Sequence, residues 1–369
     1  APTTYQLPLS ENLKKKFITL SEVCNVSVLA FANNKTVLNE TYGNFYLNKK
    51  ISNRFINYFR IIQISIFTTY KIVKKEKIDI VCFQDPVSSF FSILFLKARG
   101  VDVKIIVETH GDFIETLSLE KNLLLPRLYK KLFYIMARYS IGKSNIIRAV
   151  SSSTEKQVLD IDSSKSIVRF PAWVDFKDFQ NVEPGSFSKD KFNILFIGSV
   201  TDRKKPHMII EAIQIINDES YHLSIVGPTP NDKYFLELKD VIDKSGLQNQ
   251  VSFTGAVDRE SVKEYYSTSN LMILPSISEG LARVIFESQV ASCPVLVTDA
   301  PGMGDIVIDG QTGYVFESNN IDSLIAKIVY IKNNYEEASL IAKNAKEFIL
   351  SNFSEDNFKF SFKKLFDTV

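Results

Sequence analysis

This 369-residue chain is poor in the residues that build metal centres and disulfide frameworks: it holds three cysteines and three histidines. Cys24, Cys82 and Cys293 lie in or next to apolar segments with no paired spacing, which reads as reduced core thiols of a cytosolic protein. No Cys/His cluster has the spacing of a structural zinc site, so no metal is expected. Nor is any apolar run long enough to span a bilayer, since the best candidate, residues 55–73, is broken by Arg60, Gln63 and Lys71. No secretory signal pattern stands at the start. A large net charge is also missing, but the balance of +2 hides an asymmetry. Residues 1–185 hold 26 basic against 17 acidic residues, and residues 186–369 hold 18 against 25. A front half of +9 joined to a back half of −7 points to an anionic neighbour for the front, a membrane surface or nucleic acid. Nucleic acid is the weaker reading, because no binding module or stacking platform is recognisable.

What is present is an ordinary globular composition, 45% hydrophobic and 23% charged, with length for two domains. The front half alternates helical patterns (11–23, 54–75, 88–99, 123–143, 153–160) with strand-like runs (26–31, 78–83, 103–108, 147–150, 166–170). A polar stretch with Pro184 and Gly185 reads as a linker, and a second alternating series starts at residues 192–197. Repeated alternation predicts two Rossmann-like α/β domains, each a parallel sheet covered by helices, facing a cleft. The expected division is 1–181, a linker over 182–190, 191–353, and a C-terminal helix over 354–369 that crosses back to the first domain. The chain begins at Ala1 and enters a helix almost at once. Residues 3–9 make a poor strand, so a native opening strand is expected to be missing.

The most informative stretch is residues 270–299, NLMILPSISEGLARVIFESQVASCPVLVTD. A buried strand (271–275) runs into a polar turn with Glu279 and Gly280, a helix opens at about Leu281 and carries Glu287, and a second strand follows (294–298). A helix N-terminus at the carboxyl edge of a parallel sheet is a natural phosphate site. Eight residues separate the two carboxylates, roughly 12 Å along a continuous helix, which would suit sugar and ribose on either side of a diphosphate. The stretch resembles the signature of the retaining, metal-independent glycosyltransferases of the GT-B class (glycosyltransferase family 4): a Ser-x-x-Glu-Gly-[Phe/Leu] turn, a second Glu eight residues on, and a Pro-Val-[Ile/Val]-x-[Ser/Thr] strand. The resemblance implies that Glu279 contacts the donor sugar and Glu287 the ribose, while Gly280, Leu281 and Ala282 line the phosphate and sugar.

Further positions carry over by the same resemblance. After the strand ending at Gly198, the family has Gly-Arg and then Lys-Gly before a helix, a basic pair that neutralises the donor diphosphate. Here Lys204 matches the Lys, but Ser199 stands for the Arg and Lys205 for the Gly, with Arg203 placed to compensate. His110-Gly111-Asp112 follows an apolar strand where the family has a His-Gly turn, so His110 is expected near the anomeric centre and Asp112 on the acceptor side. His110, Glu279 and Lys204 are the residues the resemblance makes catalytic. Ser151–Ser153 and the Pro171 to Asp175 turn match structural landmarks. Pro301-Gly302-Met303-Gly304-Asp305 departs from the family's Gly-Gly-x-Pro-Glu. Asp160-Ile161-Asp162 spells Asp-x-Asp but sits at a helix end, where it reads as solvated.

The implied activity is transfer of a sugar from a nucleotide-diphosphate donor, UDP by frequency in the family, to a lipid-linked or polysaccharide acceptor, with no cofactor. Residues 121–143 interleave Arg127, Lys130, Lys131, Arg138 and Lys143 with apolar residues, as a helix lying on an anionic membrane does. An ordinary core helix is the competing reading. The expected setting is cytoplasmic, peripheral on the inner membrane face. Two rival functions are a non-catalytic nucleotide-sugar-binding subunit and a GT-B nucleotide-sugar epimerase.

Overall fold

The computed structural model describes residues 4–50, 61–111, 113, 126–184, 188, 190–279 and 282–369. The chain forms two compact units, one of Ala1–Trp173 with Glu355–Val369 and one of Val174–Ser354.

In the first unit, strand β1 (Thr4–Tyr5) pairs in parallel with β2 (Ser27–Ala32), through Thr4 against Phe31 and Tyr5 against Ala32. The segment judged too poor for a strand therefore makes one, because burial of Tyr5 among Phe17, Ala32 and Phe45 compensates for its shortness. Between them helix α1 (Glu11–Ser21) starts at Ser10, whose hydroxyl accepts from Leu13 N at 3.4 Å. Strands β3 (Thr36–Glu40) and β4 (Gly43–Lys49) form an antiparallel hairpin on the edge of this sheet, in the order β1-β2-β4-β3. A π-helical turn (Ile64–Thr68) runs into α2 (Thr69–Lys75), so the continuous helix expected over 54–75 is interrupted in its described part.

The second sheet of this unit is wholly parallel: β5 (Ile80–Phe83), β6 (Lys104–Thr109), β7 (Ile146–Ala149) and β8 (Ile167–Arg169). Helices α3 (Phe90–Ala98), α4 (Pro126–Lys143) and α5 (Ser152–Ile161) connect its strands. Ser151 and Thr154 form a capping box at the start of α5, and Asp162 at its end accepts from Ser164 N and Oγ. Ile105, Ile106 and Val107 are buried on both faces of β6, as a helix-covered parallel sheet requires. Of the three cysteines only Cys293 is buried; Cys24 is half-buried and Cys82 exposed, so the three do not form a common class of core thiols.

The second unit holds a six-stranded parallel sheet in the order β11-β10-β9-β12-β13-β14. Its strands are β9 (Phe192–Ile197), β10 (Tyr221–Val226), β11 (Val251–Gly255), β12 (Leu271–Leu274), β13 (Val295–Thr298) and β14 (Tyr314–Phe316). Helices α6 (Pro206–Ile216), α7 (Asp232–Lys244), α8 (Arg259–Thr268), α9 (Arg283–Val290), α10 (Ile321–Asn333) and α11 (Tyr335–Asn352) cover it. The order runs outward from β9 in one direction and resumes at β12 in the other. Between β9 and β12 the connections part to opposite sides, and such a switch point leaves a crevice at the strands' carboxyl ends where ligands bind. Helix α12 (Glu355–Asp367) returns to the first unit, burying Phe358, Phe362 and Leu365 against Ile106, Ile146 and Phe170.

Candidate functional site

Two loops leave the carboxyl ends of the paired strands β9 and β12. The first begins at Gly198 and Ser199 and carries Arg203, Lys204 and Lys205 into α6; the second carries Ser276 and Glu279 toward α9. They meet at the Glu279 carboxylate. Its Oε1 lies 3.1 Å from Lys204 Nζ and 3.2 Å from Arg203 Nη1, and it accepts from Ser276 Oγ at 2.9 Å. Arg203 also donates to the Ser278 carbonyl, and Ile277 N donates to the Arg203 carbonyl at 3.1 Å. With its side chain only 9% exposed, Glu279 is held by its neighbours and not by water. Two cations against one carboxylate leave an excess positive charge at a sheet edge, which suits an anion.

Backbone shape sets this geometry. A Cβ on Gly198 would stand 3.0 Å from Lys204 Nζ, so glycine leaves the lane that the lysine side chain crosses. A Cβ on Gly302, whose φ is +94°, would stand 1.9 Å from the Glu279 carbonyl oxygen. Glu279 N donates to the Pro301 carbonyl at 3.2 Å, so the Pro301 to Asp305 loop, despite its departure from the family pattern, clasps the Glu279 backbone. Lys205 adopts the left-handed conformation, φ 49° and ψ 44°, at the cap of α6, with its Nζ on Asn319 Oδ1. A glycine at that position, as in the family pattern, would meet no Cβ penalty in this conformation.

Gly280 and Leu281 lie outside the described residues. Buried Ala282 is the cap residue of α9, which opens at Arg283 and not at Leu281. Glu279 thus precedes the helix and Glu287 sits within it, so the two carboxylates do not share a continuous helix and the 12 Å helical estimate does not apply. Glu287 is reached by the Tyr266 hydroxyl, 3.3 Å from its Oε2 and 3.1 Å from the Val284 carbonyl. Burial pushes the Glu287 carboxyl up, against the opposing pull of Arg259, Tyr266 and Arg283. Tyr266 packs edge-on against Phe179, over which the Arg259 guanidinium lies at 4.9 Å while pairing with Asp178 at 2.9 Å. Arg259 also donates to the Asp175 carbonyl at 2.7 Å, tying the Pro171 to Asp175 landmark into the support of Glu287.

In the first unit, His110 follows β6, two residues beyond Glu108 and on the same side of the strand. Its Nε2 lies 3.0 Å from Glu108 Oε2, and Arg148 Nη1, directly across on β7, lies 2.9 Å from Glu108 Oε1. Burial opposes ionisation of Glu108, but Arg148 and His110 outweigh it and hold the carboxyl well below the usual carboxylate range. Asp112 lies outside the described residues. On α4, Arg127, Lys131 and Arg138 are exposed and Lys130 is half-buried. The same face exposes Leu128 (62%), Leu132 and Ile135 (52%), spaced i, i+4, i+7. Ala137 and Ile141 bury the other side with the unit's core. The helix is therefore a core helix and an exposed basic-apolar one at once. Among the described residues no helix is long and apolar enough to cross a membrane.

Sequence reading missed Ser276, Arg259, Tyr266, Glu108 and Arg148. Ser276 was signalled by the first position of the Ser-x-x-Glu turn. Glu108 and Arg148 were signalled as charges inside short, largely apolar strands, where only pairing makes burial tolerable.

The family model for Glycosyltransferase Family 4 matches residues 20–177, and that for Glycosyl transferases group 1 matches residues 178–348. An uncharacterized glycosyltransferase of Methanocaldococcus jannaschii is 30% identical over 154 residues, 42% of either protein. A capsular polysaccharide biosynthesis glycosyltransferase of Staphylococcus aureus is 24% identical over 60% of this chain and 61% of its own length. The chain thus spans less than two thirds of these relatives. Anabaena HepE, solved in complex with UDP, superposes with a TM-score of 0.71 over 99% of both chains at 13% identity, a likeness of fold. With one glycosyltransferase family model on each half and the two parallel-sheet α/β domains of the GT-B fold, the chain belongs to the group 1 glycosyltransferases of family 4.

Proposed function

We propose that this chain is a retaining, metal-independent glycosyltransferase that moves a sugar from a UDP-sugar to a lipid-linked or polysaccharide acceptor in cell-surface glycan synthesis. The observation that carries the reading is the Glu279 carboxylate held by Lys204, Arg203 and Ser276 beyond the paired strands β9 and β12. Lys204 and Arg203 neutralise the diphosphate as its bond to the anomeric carbon breaks, and Glu279 holds sugar hydroxyls. The acceptor oxygen bonds on the face the diphosphate leaves, and its proton passes to the departing phosphate oxygen. Glu287, on its own helix, takes the ribose. The choice of a uridine nucleotide is supported by the UDP bound to Anabaena HepE, and that of a glycan acceptor by the capsular polysaccharide biosynthesis enzyme of Staphylococcus aureus.

The exposed basic and apolar residues of α4 favour a peripheral place on an anionic inner membrane face, where a lipid-linked acceptor is found. A thermal-shift panel of nucleotide sugars tests the donor. A ligand at a hundred times its Kd adds about 2.7 kcal/mol, so one nucleotide sugar should raise Tm by several degrees in the wild type and not in Glu279→Ala. Equal shifts in both proteins, or none with any donor, would defeat the assignment. Transfer should survive EDTA; its loss, with recovery on adding a divalent cation, would overturn the metal-free mechanism.

A further inference from the structure

We propose that Glu108 is a positioning residue that fixes the tautomer and orientation of the His110 ring, braced by Arg148 and the C-terminal helix, so that Nδ1 is offered as an acceptor to a hydroxyl of the bound sugar. The proposal rests on the glycosyltransferase reading and adds to it residues outside the donor loops.

The network is assembled by strand register. Glu108 and Arg148 are direct cross-strand partners in β6 and β7, with side chains 6% and 4% exposed. His110, two residues on, presents a ring 38% exposed at the end of the strand. A buried carboxylate this close to a guanidinium is ionised and can only accept. The Nε2 contact at 3.0 Å therefore requires the proton on Nε2, and in the neutral ring this leaves Nδ1 with its lone pair.

Arg148 has no freedom to drift from this pose. It donates to the Pro171 carbonyl at 2.7 Å, and its guanidinium lies 4.1 Å from the Phe170 ring centroid and 4.9 Å from that of Phe362. Phe362 belongs to α12, more than 200 residues further along the chain. The C-terminal helix is thus a wall of the pocket that holds the arginine, which holds the carboxylate, which holds the imidazole. A structural ion pair alone would need neither the exposed histidine on its outer oxygen nor its position at the strand's carboxyl end.

Long-range 1H–15N correlation on the full-length chain, with 15N-labelled histidine, reads the tautomer directly. Only three histidines contribute, and His110→Gln assigns the signal. At a pH well above the usual imidazole range, the wild type should show Nε2 protonated and Nδ1 bare. A protonated Nδ1, or averaging between tautomers, overturns the proposal. Glu108→Leu with Arg148→Met removes both buried charges together, so neither is stranded, and an unchanged melting temperature shows that the fold survives. That variant should lose the fixed tautomer and about tenfold or more in kcat, with donor KM within about threefold. A folded double variant with wild-type kcat overturns the proposal; if it fails to fold, the wild-type tautomer decides alone. A wild type that transfers from no donor defeats the functional reading, while the tautomer still decides the network.

Discussion

At the scale of single residues, the two glutamates of the signature differ in what holds them. Glu279 is gripped by two cations, whereas Glu287 has a tyrosine hydroxyl and a buried setting that pushes its carboxyl above the ordinary value of 4.5. A carboxyl raised by folding favours the fold while protonated: its contribution is complete below the unfolded value and is lost as pH rises through the folded one. Above its folded value the ionised Glu287 therefore works against folding, a cost that fits the ribose-binding role proposed for it. Glu287→Gln should raise Tm in the absence of donor and weaken donor binding about tenfold or more, the cost of losing hydrogen bonds to a charged acceptor. Calorimetry on the free and donor-saturated protein checks both signs, and a fall in both quantities would show that Glu287 is a structural acid. Lys205 shows a similar local cost, since a left-handed lysine stands where the family has glycine.

At the scale of elements, legibility followed the strength of the pattern. The alternation from β9 to β14 could be read because β12 and β13 are nearly continuous apolar runs and the other strands are mostly apolar between clear helical periods, and the Ser-x-x-Glu-Gly turn marked the candidate site among them. The β3–β4 hairpin escaped because TVLNETYGNFYLNK mixes Asn, Thr and Tyr with few apolar residues, as an edge hairpin with one wet face does. The short β1 escaped because two residues carry no period, and packing on Phe17 and Phe45 decides it. The start of α9 was misplaced by two residues because the turn has no capping side chain to mark it. Helix α4 was read as either a membrane-surface helix or a core helix, whereas it buries Ala137 and Ile141 and exposes a basic-apolar stripe. Its outer stripe predicts binding to liposomes of anionic lipid that weakens as salt rises. Lys131→Glu with Arg138→Glu should reduce that binding by about 2 kcal/mol or more, on the order of 1 kcal/mol for each basic residue removed, and leave the donor-induced thermal shift intact. Sedimentation that does not respond to salt or to these substitutions would dismiss the membrane face.

At the scale of the whole molecule, the first unit is completed by a segment the chain supplies last. Thr19 donates to Glu355 at 2.7 Å and Lys359 pairs with Glu22 at 3.1 Å, joining residues more than 330 positions apart. Beneath these contacts Phe358, Phe362 and Leu365 are buried against β6, β7 and Phe170. Burial of three such side chains contributes about 2 kcal/mol each, together comparable to the lower end of a domain's net stability. Deleting residues 355–369 should therefore unfold the first unit or lower its transition by ten degrees or more in calorimetry. Arg203, Lys204 and Glu279, in the loops proposed to hold the donor, and Glu287 on α9 all belong to Val174–Ser354. The truncated protein should then keep the Tm rise given by the nucleotide sugar and lose transfer to acceptor. A truncated chain that still transfers at the wild-type rate would mean that α12 is dispensable, and with it the brace it gives to Arg148. Loss of both the shift and the transfer would mean that the donor site needs more of the chain than the residues that form it.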